Sequence, residues 1–293
     1  MLWANIENRQ RQGDVAIDKG TLAKAQSHFK EARALIERGL ALDANNPDLR
    51  FLLGLNHSKE GKVVLALGGA LEEARGHFNL AHQLFGCESS SFESEDHRRT
   101  CATSFLERAD VERRSDRIKK AVSLYDTAIK LLEQNPGSYN EALLAEARGF
   151  QAEASGDPAL FDSALRLADA VSQQDPGDMH ALMVLARNQL GLARLLSSQG
   201  DFATAASSYG AARSNGQLLH EREKSNKRYA LVLAESLLGL ERVTPAPGGS
   251  DRAPFPFLQE RCALVGDFLR KDPEDARFKA LNEGCPEKIM GRE

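Results

Sequence analysis

The sequence predicts an all-α chain, and three observations carry that prediction. The first is composition: the 293 residues include 40 Ala and 40 Leu against 6 Ile and 10 Val, a balance that favours helix over sheet. The second is a recurring spacing, a small residue, a ring four positions on and an alanine three after that, which forms one stripe on a helix of 3.6 residues per turn. The third is punctuation. Asn46-Pro47, Asn135-Pro136 and Asp175-Pro176 are Asx-Pro steps that cap one helix and set the backbone for its first turn. With 42% hydrophobic residues the chain can bury a sizeable core.

Taken in order, the periodicity places helices at 3–19, 21–43, 47–66, 70–85, 97–115, 117–134, 138–155, 159–174, 178–199, 202–220 and 223–241, five pairs and one more helix. The spaced triplet falls in the second helix of each pair. It reads Ala25, Phe29, Ala32; Ala74, Phe78, Ala81; and Ala121, Tyr125, Ala128. The fourth copy has no ring, Ala164, Ala168 and Val171. The fifth is the fullest, with Gly200-Asp201 at the turn, then Phe202, Ala205, Tyr209 and Ala212. A Pro- and Gly-rich stretch at 244–256 reads as a linker. It separates residues 1–243 from a tail, 257–293, in which Leu258, Cys262, Val265, Phe268 and Leu269 form an apolar stripe that should dock on the last repeat helix.

These triplets resemble the second helix of the tetratricopeptide repeat, in which two alanines let paired helices approach and a ring fills the space between them. Gly13, Gly54 and Gly149 stand where that family has a small residue on the first helix, and Leu53-Gly54 matches its Leu-Gly pair. The resemblance covers roughly residues 5–240 and implies a right-handed superhelical solenoid of antiparallel helix pairs, closed by a C-terminal capping segment. The repeats are stretched, however. Successive first alanines lie at 25, 74, 121, 164 and 205, where the family repeats every 34 residues or so. In the second unit the extra length is either an extended first helix or a loop at Gly61 or Gly68-Gly69.

Composition also excludes. A net charge of −4 and a pI near 6.0 give no overall positive field to draw nucleic acid. The longest apolar runs, such as Val63–Leu71, fall well short of the roughly 20 residues that span a bilayer. The N-terminus turns polar too soon for a secretory signal, so a cytoplasmic protein with reduced thiols is expected. No zinc-protease, nucleophile-elbow, Walker or dinucleotide motif is present, and neither enzymatic activity nor a cofactor is expected. His77 and His82, five apart on one helix, make poor zinc geometry. Cys87, His97 and Cys101 bracket a serine-rich acidic insertion, Gly86–Asp96, and are the weak candidate for a metal or redox site.

The resemblance implies a groove lined by first helices that holds a peptide or helix of a partner protein. Its inward positions fall on Leu106, Asp110, Arg113 and Arg114; on Glu146, Phe150 and Glu153; on Arg187, Asn188, Leu190, Arg194 and Ser198; and on Arg228. Arg187 and Arg194 are two turns apart on one face, so together they could hold a carboxylate or an acidic segment. In family members that clamp a chaperone's C-terminal carboxylate, Lys and Asn do that work, and the matching positions here are Gln10 and Asp14. A non-enzymatic adaptor is therefore expected. The alternatives are the metal or redox site and a homo-oligomer built by stacking an uncapped end.

Overall fold

The structure, a computed structural model, describes residues 2–88, 94–134, 137–244, 256–273 and 275–286. Every regular element among them is helical: α1 (Leu2–Asp18), α2 (Leu22–Leu42), α3 (Pro47–Ala66), α4 (Leu71–Leu84), α5 (Glu95–Arg114), α6 (Ile118–Glu133), α7 (Ser138–Ser155), α8 (Phe161–Gln174), α9 (Met179–Ser198), α10 (Phe202–Arg222), α11 (Lys227–Val243), α12 (Pro256–Lys271) and α13 (Ala276–Leu281). A single 3-10 turn, Pro158–Leu160, leads into α8. The chain divides into two compact units, Met1–Ser155 and Gly156–Glu293. Within each, successive helices pack on one another in chain order. The Asn135-Pro136 step, the core of the serine-rich insertion (89–93) and the linker residues 245–255 lie outside the described residues.

Local chemistry sets the helix starts. Asn46 Oδ1 accepts the Leu49 N–H at 3.0 Å with Pro47 at the first position, and Asp178 Oδ1 accepts from His180 and Ala181. Asp201 caps α10 by accepting from Thr204, directly after Gly200 at φ +85°, a left-handed conformation that glycine adopts without penalty. One start moves. The sequence places the eleventh helix from residue 223, but Asn226 accepts the Arg228 N–H and begins α11 at Lys227. Residues 223–226 form the turn before it.

The triplets form the core. Ala25, Phe29 and Ala32, Ala74, Phe78 and Ala81, Ala121, Tyr125 and Ala128, and Ala205, Tyr209 and Ala212 are all buried. In the fourth copy Phe161, at the start of α8, is buried with Ala164, Ala168 and Val171 and supplies a ring that the triplet lacks. The rings explain the glycines opposite them. A Cβ on Gly13 would lie 2.4 Å from the Phe29 ring, and one on Gly239 would lie 2.2 Å from the Tyr209 ring.

The second repeat needs a corrected register. Gly61, not Gly54, faces Phe78, with a Cβ there 2.7 Å from the ring, whereas Gly54 faces Phe85. Helix α3 runs unbroken through Gly61 and ends before Gly68, whose φ is +70°. The extra length is thus an extended helix. Leu53-Gly54 imitates the family's pair in sequence, but only the packing shows which glycine meets the ring.

In the second unit α12 and α13 cover α11. Leu264, Val265, Phe268, Leu269, Phe278 and Leu281 join Ala230, Leu233, Ala234 and Leu237 in one cluster, with Phe268 and Phe278 stacked at 4.8 Å. Charged groups fasten this end. Arg261, 1% exposed, holds both oxygens of Glu241 at 2.7 and 2.9 Å and the carbonyls of Leu281 and Glu283. Lys227 pairs with Asp272 at 2.8 Å and Asp275 at 3.2 Å.

The expectation of reduced thiols is corrected. Cys87–Cys101 and Cys262–Cys285 are disulfides, with Cα separations of 5.3 and 5.5 Å. Cys87 follows α4 and Cys101 lies inside α5, while Cys262 lies inside α12 and Cys285 follows α13, so each bond links two successive helices. Separation along the chain gives no hint of either approach.

Candidate functional site

The first helices of successive pairs are tied to one another by charge. In the first unit Lys59 of α3 reaches Asp14 of α1 at 2.6 Å, and Lys62 of α3 reaches Glu107 of α5 at 2.8 Å, where Ser58 also donates at 2.6 Å. Arg113 of α5 lies 2.6 Å from Asp110 and 3.8 Å from Glu153 of α7. In the second unit Arg194 of α9 meets Glu235 of α11 at 3.2 Å. Each rung joins a cation, half-exposed at Lys59 and Arg113 and exposed at Lys62 and Arg194, to a carboxylate on the neighbouring first helix. The result is a polar face of mixed sign in each unit.

The expected site residues divide on this face. Arg114 is exposed and shares Asp110 with Arg113, so the positive charge at that point is largely compensated. Phe150 is half-buried with its ring 6.1 Å from Tyr125. Arg187 is half-exposed, while Arg194 and Arg228 are exposed. Asn188 and Leu190 are not on the surface. They are 5% and 3% exposed, and Leu190 packs with Ala193, Ala205, Tyr209 and Ala212. Helix α9 has α8, α10 and α11 against it, so much of its perimeter is interior, and Arg187, Arg194 and Ser198 are left at the polar face.

Opposite Arg187 and Arg194, on the other side of α9, a shallow groove of about 360 Å³ runs between α8 and α10. Arg166 and Asp169, Leu185 and Gln189, and Ser207 and Ser208 line it. Asn215 bonds Gln189 at 2.8 Å along its length. In the first unit a second groove, of about 450 Å³, collects Arg11, Lys19, Lys24 and His28 beside the exposed Val15. Neither groove is legible in the sequence, because each is formed by positions on separate helices.

The histidines also rearrange. His82 belongs with α5: its Nδ1 lies 3.1 Å from Ser104 Oγ and its ring meets Phe105 edge-on at 4.7 Å. Burial, assisted by the Arg108 charge, holds its pKa down to about 4. His77 faces away from it, toward His57 and Glu60 of α3. Burial lowers His77 and lowers His57 to about 4, and burial raises Glu60. Cys87, His97 and Cys101 do converge, but both sulfurs are committed to the disulfide and offer no thiolate, and His97 Nε2 lies 2.7 Å from the Phe85 carbonyl. The sequence reading missed the His57-x-x-Glu60 step, which puts two ligand types on one face of α3.

No protein-family model matches the chain, and no curated protein does. Solved structures do match. At 18% identity and a TM-score of 0.54, the chain is similar to BtubC (BKLC) from P. vanneervenii over 90% of its own length and 94% of the other. The fold is a divergent tetratricopeptide-like helical repeat. A tetratricopeptide repeat protein from Parabacteroides merdae matches over 98% of this chain and 96% of its own at 17% identity and a TM-score of 0.38. Yeast Tom70 matches over 94% of this chain at 16% identity and a TM-score of 0.48, and the chain spans 55% of that structure's length. No described helix is long and apolar enough to cross a membrane.

Proposed function

We propose that this protein is a non-enzymatic adaptor that holds a segment of another protein against the polar face of its first helices. The observation that supports this reading is the set of charged rungs between first helices, Lys59–Asp14, Lys62–Glu107, Arg113–Glu153 and Arg194–Glu235. Such rungs order cations and carboxylates at fixed intervals, and a peptide of complementary charge can exchange partners with them. In the second unit the contact residues are Arg187, Arg194 and Arg228. In the first they are Arg113, Arg114 and Phe150. Rim charges of this kind set partner choice and association rate more than raw affinity.

The test compares wild type with the folded variant Arg187→Glu/Arg194→Glu in affinity capture from native lysate, read by quantitative mass spectrometry. A partner enriched by wild type and lost with the variant supports the reading. Equal capture places the contact elsewhere, and wild type that enriches nothing overturns it. A homo-oligomer is the competing form of association, and light scattering at high protein concentration separates the two. A cytoplasmic setting belongs to this proposal only with free thiols. The two disulfides favour oxidising surroundings, and counting thiols in protein recovered under alkylating conditions decides between them.

A further inference from the structure

A cluster away from the polar face has the makings of a metal centre. His57 and Glu60 stand one turn apart on α3, and His77 comes from α4. His57 Nδ1 lies 3.0 Å from His77 Nδ1, and Glu60 Oε2 lies 3.5 Å from the first nitrogen and 3.6 Å from the second. Three donors bound to one tetrahedral zinc ion at about 2.0–2.1 Å stand about 3.3–3.4 Å from each other. The observed triangle brackets that value. Its side chains are 10%, 5% and 16% exposed for His57, Glu60 and His77, so the donors are largely withdrawn from water.

A second observation is independent of this spacing. Glu60 Oε2, the atom that completes the triangle, is buried and accepts no hydrogen bond. A buried carboxylate oxygen left unsatisfied is costly, and its nearest cation, Arg33 Nη1, stays at 3.5 Å. Arg33 is also 3.9 Å from Glu37, so its guanidinium has another carboxylate to turn to when an ion arrives. The two imidazoles present Nδ1 to Nδ1, which without an ion requires one proton between them. Coordination needs that proton only to move to the same ring's Nε2, and none is lost to solvent.

We propose that His57, Glu60 and His77 bind one divalent transition-metal ion of the zinc class, with the remaining coordination position left to water. Two imidazole nitrogens and a carboxylate oxygen suit zinc better than the hard cations calcium and magnesium, which take oxygen ligands. The ion joins α3 to α4 at the point where Gly61 meets Phe78, and it bears on the folding of the first unit whether or not the adaptor reading holds.

The experiment uses the full chain, stripped with a chelator and titrated with Zn²⁺ against a chromophoric competitor at neutral pH. About one equivalent is expected, as for a preformed site. His77→Gln and His57→Gln should each weaken binding at least tenfold, while His97→Ala leaves it unchanged. Uptake below about a tenth of an equivalent overturns the proposal, given the full occupancy expected of such a site. So does a folded His77→Gln protein that binds as wild type does, or loss of binding in His97→Ala alone. Should the variants fail to fold, Co²⁺ added to the unaltered chain must broaden the ring resonances of His57 and His77 and spare those of His97. Broadening confined to His97 refutes the site.

Discussion

Buried polar groups are distributed differently in the two units. In the first, Asn56, His57, Ser58, Glu60, His82, Ser104, Glu107 and Glu112 are buried in the middle of the unit, on α3, α4 and α5. In the second, α9 and α10 meet mainly through Leu190, Ala193, Ala205, Tyr209 and Ala212, and the buried charges Lys227 and Arg261 are kept for the α11–α13 end. A buried charge is tolerated only with partners, and most have them. Glu107 has Ser58 and Lys62, and Glu112 has Arg75, Arg117 and Lys120. The second unit thus keeps its buried charges for closing the fold, while the first places its own where ligand chemistry is possible.

The largest effect that would break this comparison lies in the second unit. Arg261→Met should cost roughly 3–5 kcal/mol in urea unfolding, since it leaves Glu241 without its bidentate partner in a site 12% exposed. A cost below about 1 kcal/mol would mean that the pair is solvated and the cap is held by apolar contact alone.

Acid should act on the first unit. His82 has a pKa of about 4 when folded against 6.5 in the open chain, so the unfolded state binds its proton first. Its contribution is complete above pH 6.5 and is lost as pH falls toward 4, on the order of 2–3 kcal/mol in all. His82→Gln should flatten that part of a melting-temperature profile, and a profile unchanged by the substitution would place the acid sensitivity elsewhere.

Glycines opposite rings sharpen the comparison by showing both units packed alike. Gly61→Ala and Gly239→Ala should each destabilise by roughly 1–3 kcal/mol in thermal denaturation. Gly210→Ala, whose Cβ meets nothing within 4 Å, should instead gain up to about 1 kcal/mol. If Gly61→Ala is neutral while Gly54→Ala is not, the register of the second repeat reverts to Gly54. The smallest effect is at the polar face: Arg194→Ala removes an ion pair 52% and 39% exposed, and unfolding should shift by no more than about 1 kcal/mol.

Most of the helices could be read from the chain, and their ends shift by only a few residues. Ala25, Phe29 and Ala32 lie on one helix, and their stripe is a property of local geometry alone. The candidate sites were less legible. Leu190 sits three positions from Arg187 and by helical spacing shares its face, yet the helices around α9 bury one and leave the other half-exposed. The neighbour of His77 in sequence is His82, while its partner in space, His57, comes from 20 residues upstream.

The sequence by itself determined the helices, the small-ring-small stripes that pair them, and the helix starts at Asn46 and Asp201, because periodicity and capping act within one or two turns. Tertiary structure decided which glycine meets which ring, which cysteines join, which arginines are already engaged, and that His57, Glu60 and His77 share a point. Those choices depend on how far each helix is rotated about its axis against its neighbours, and that rotation is fixed only when whole faces pack together.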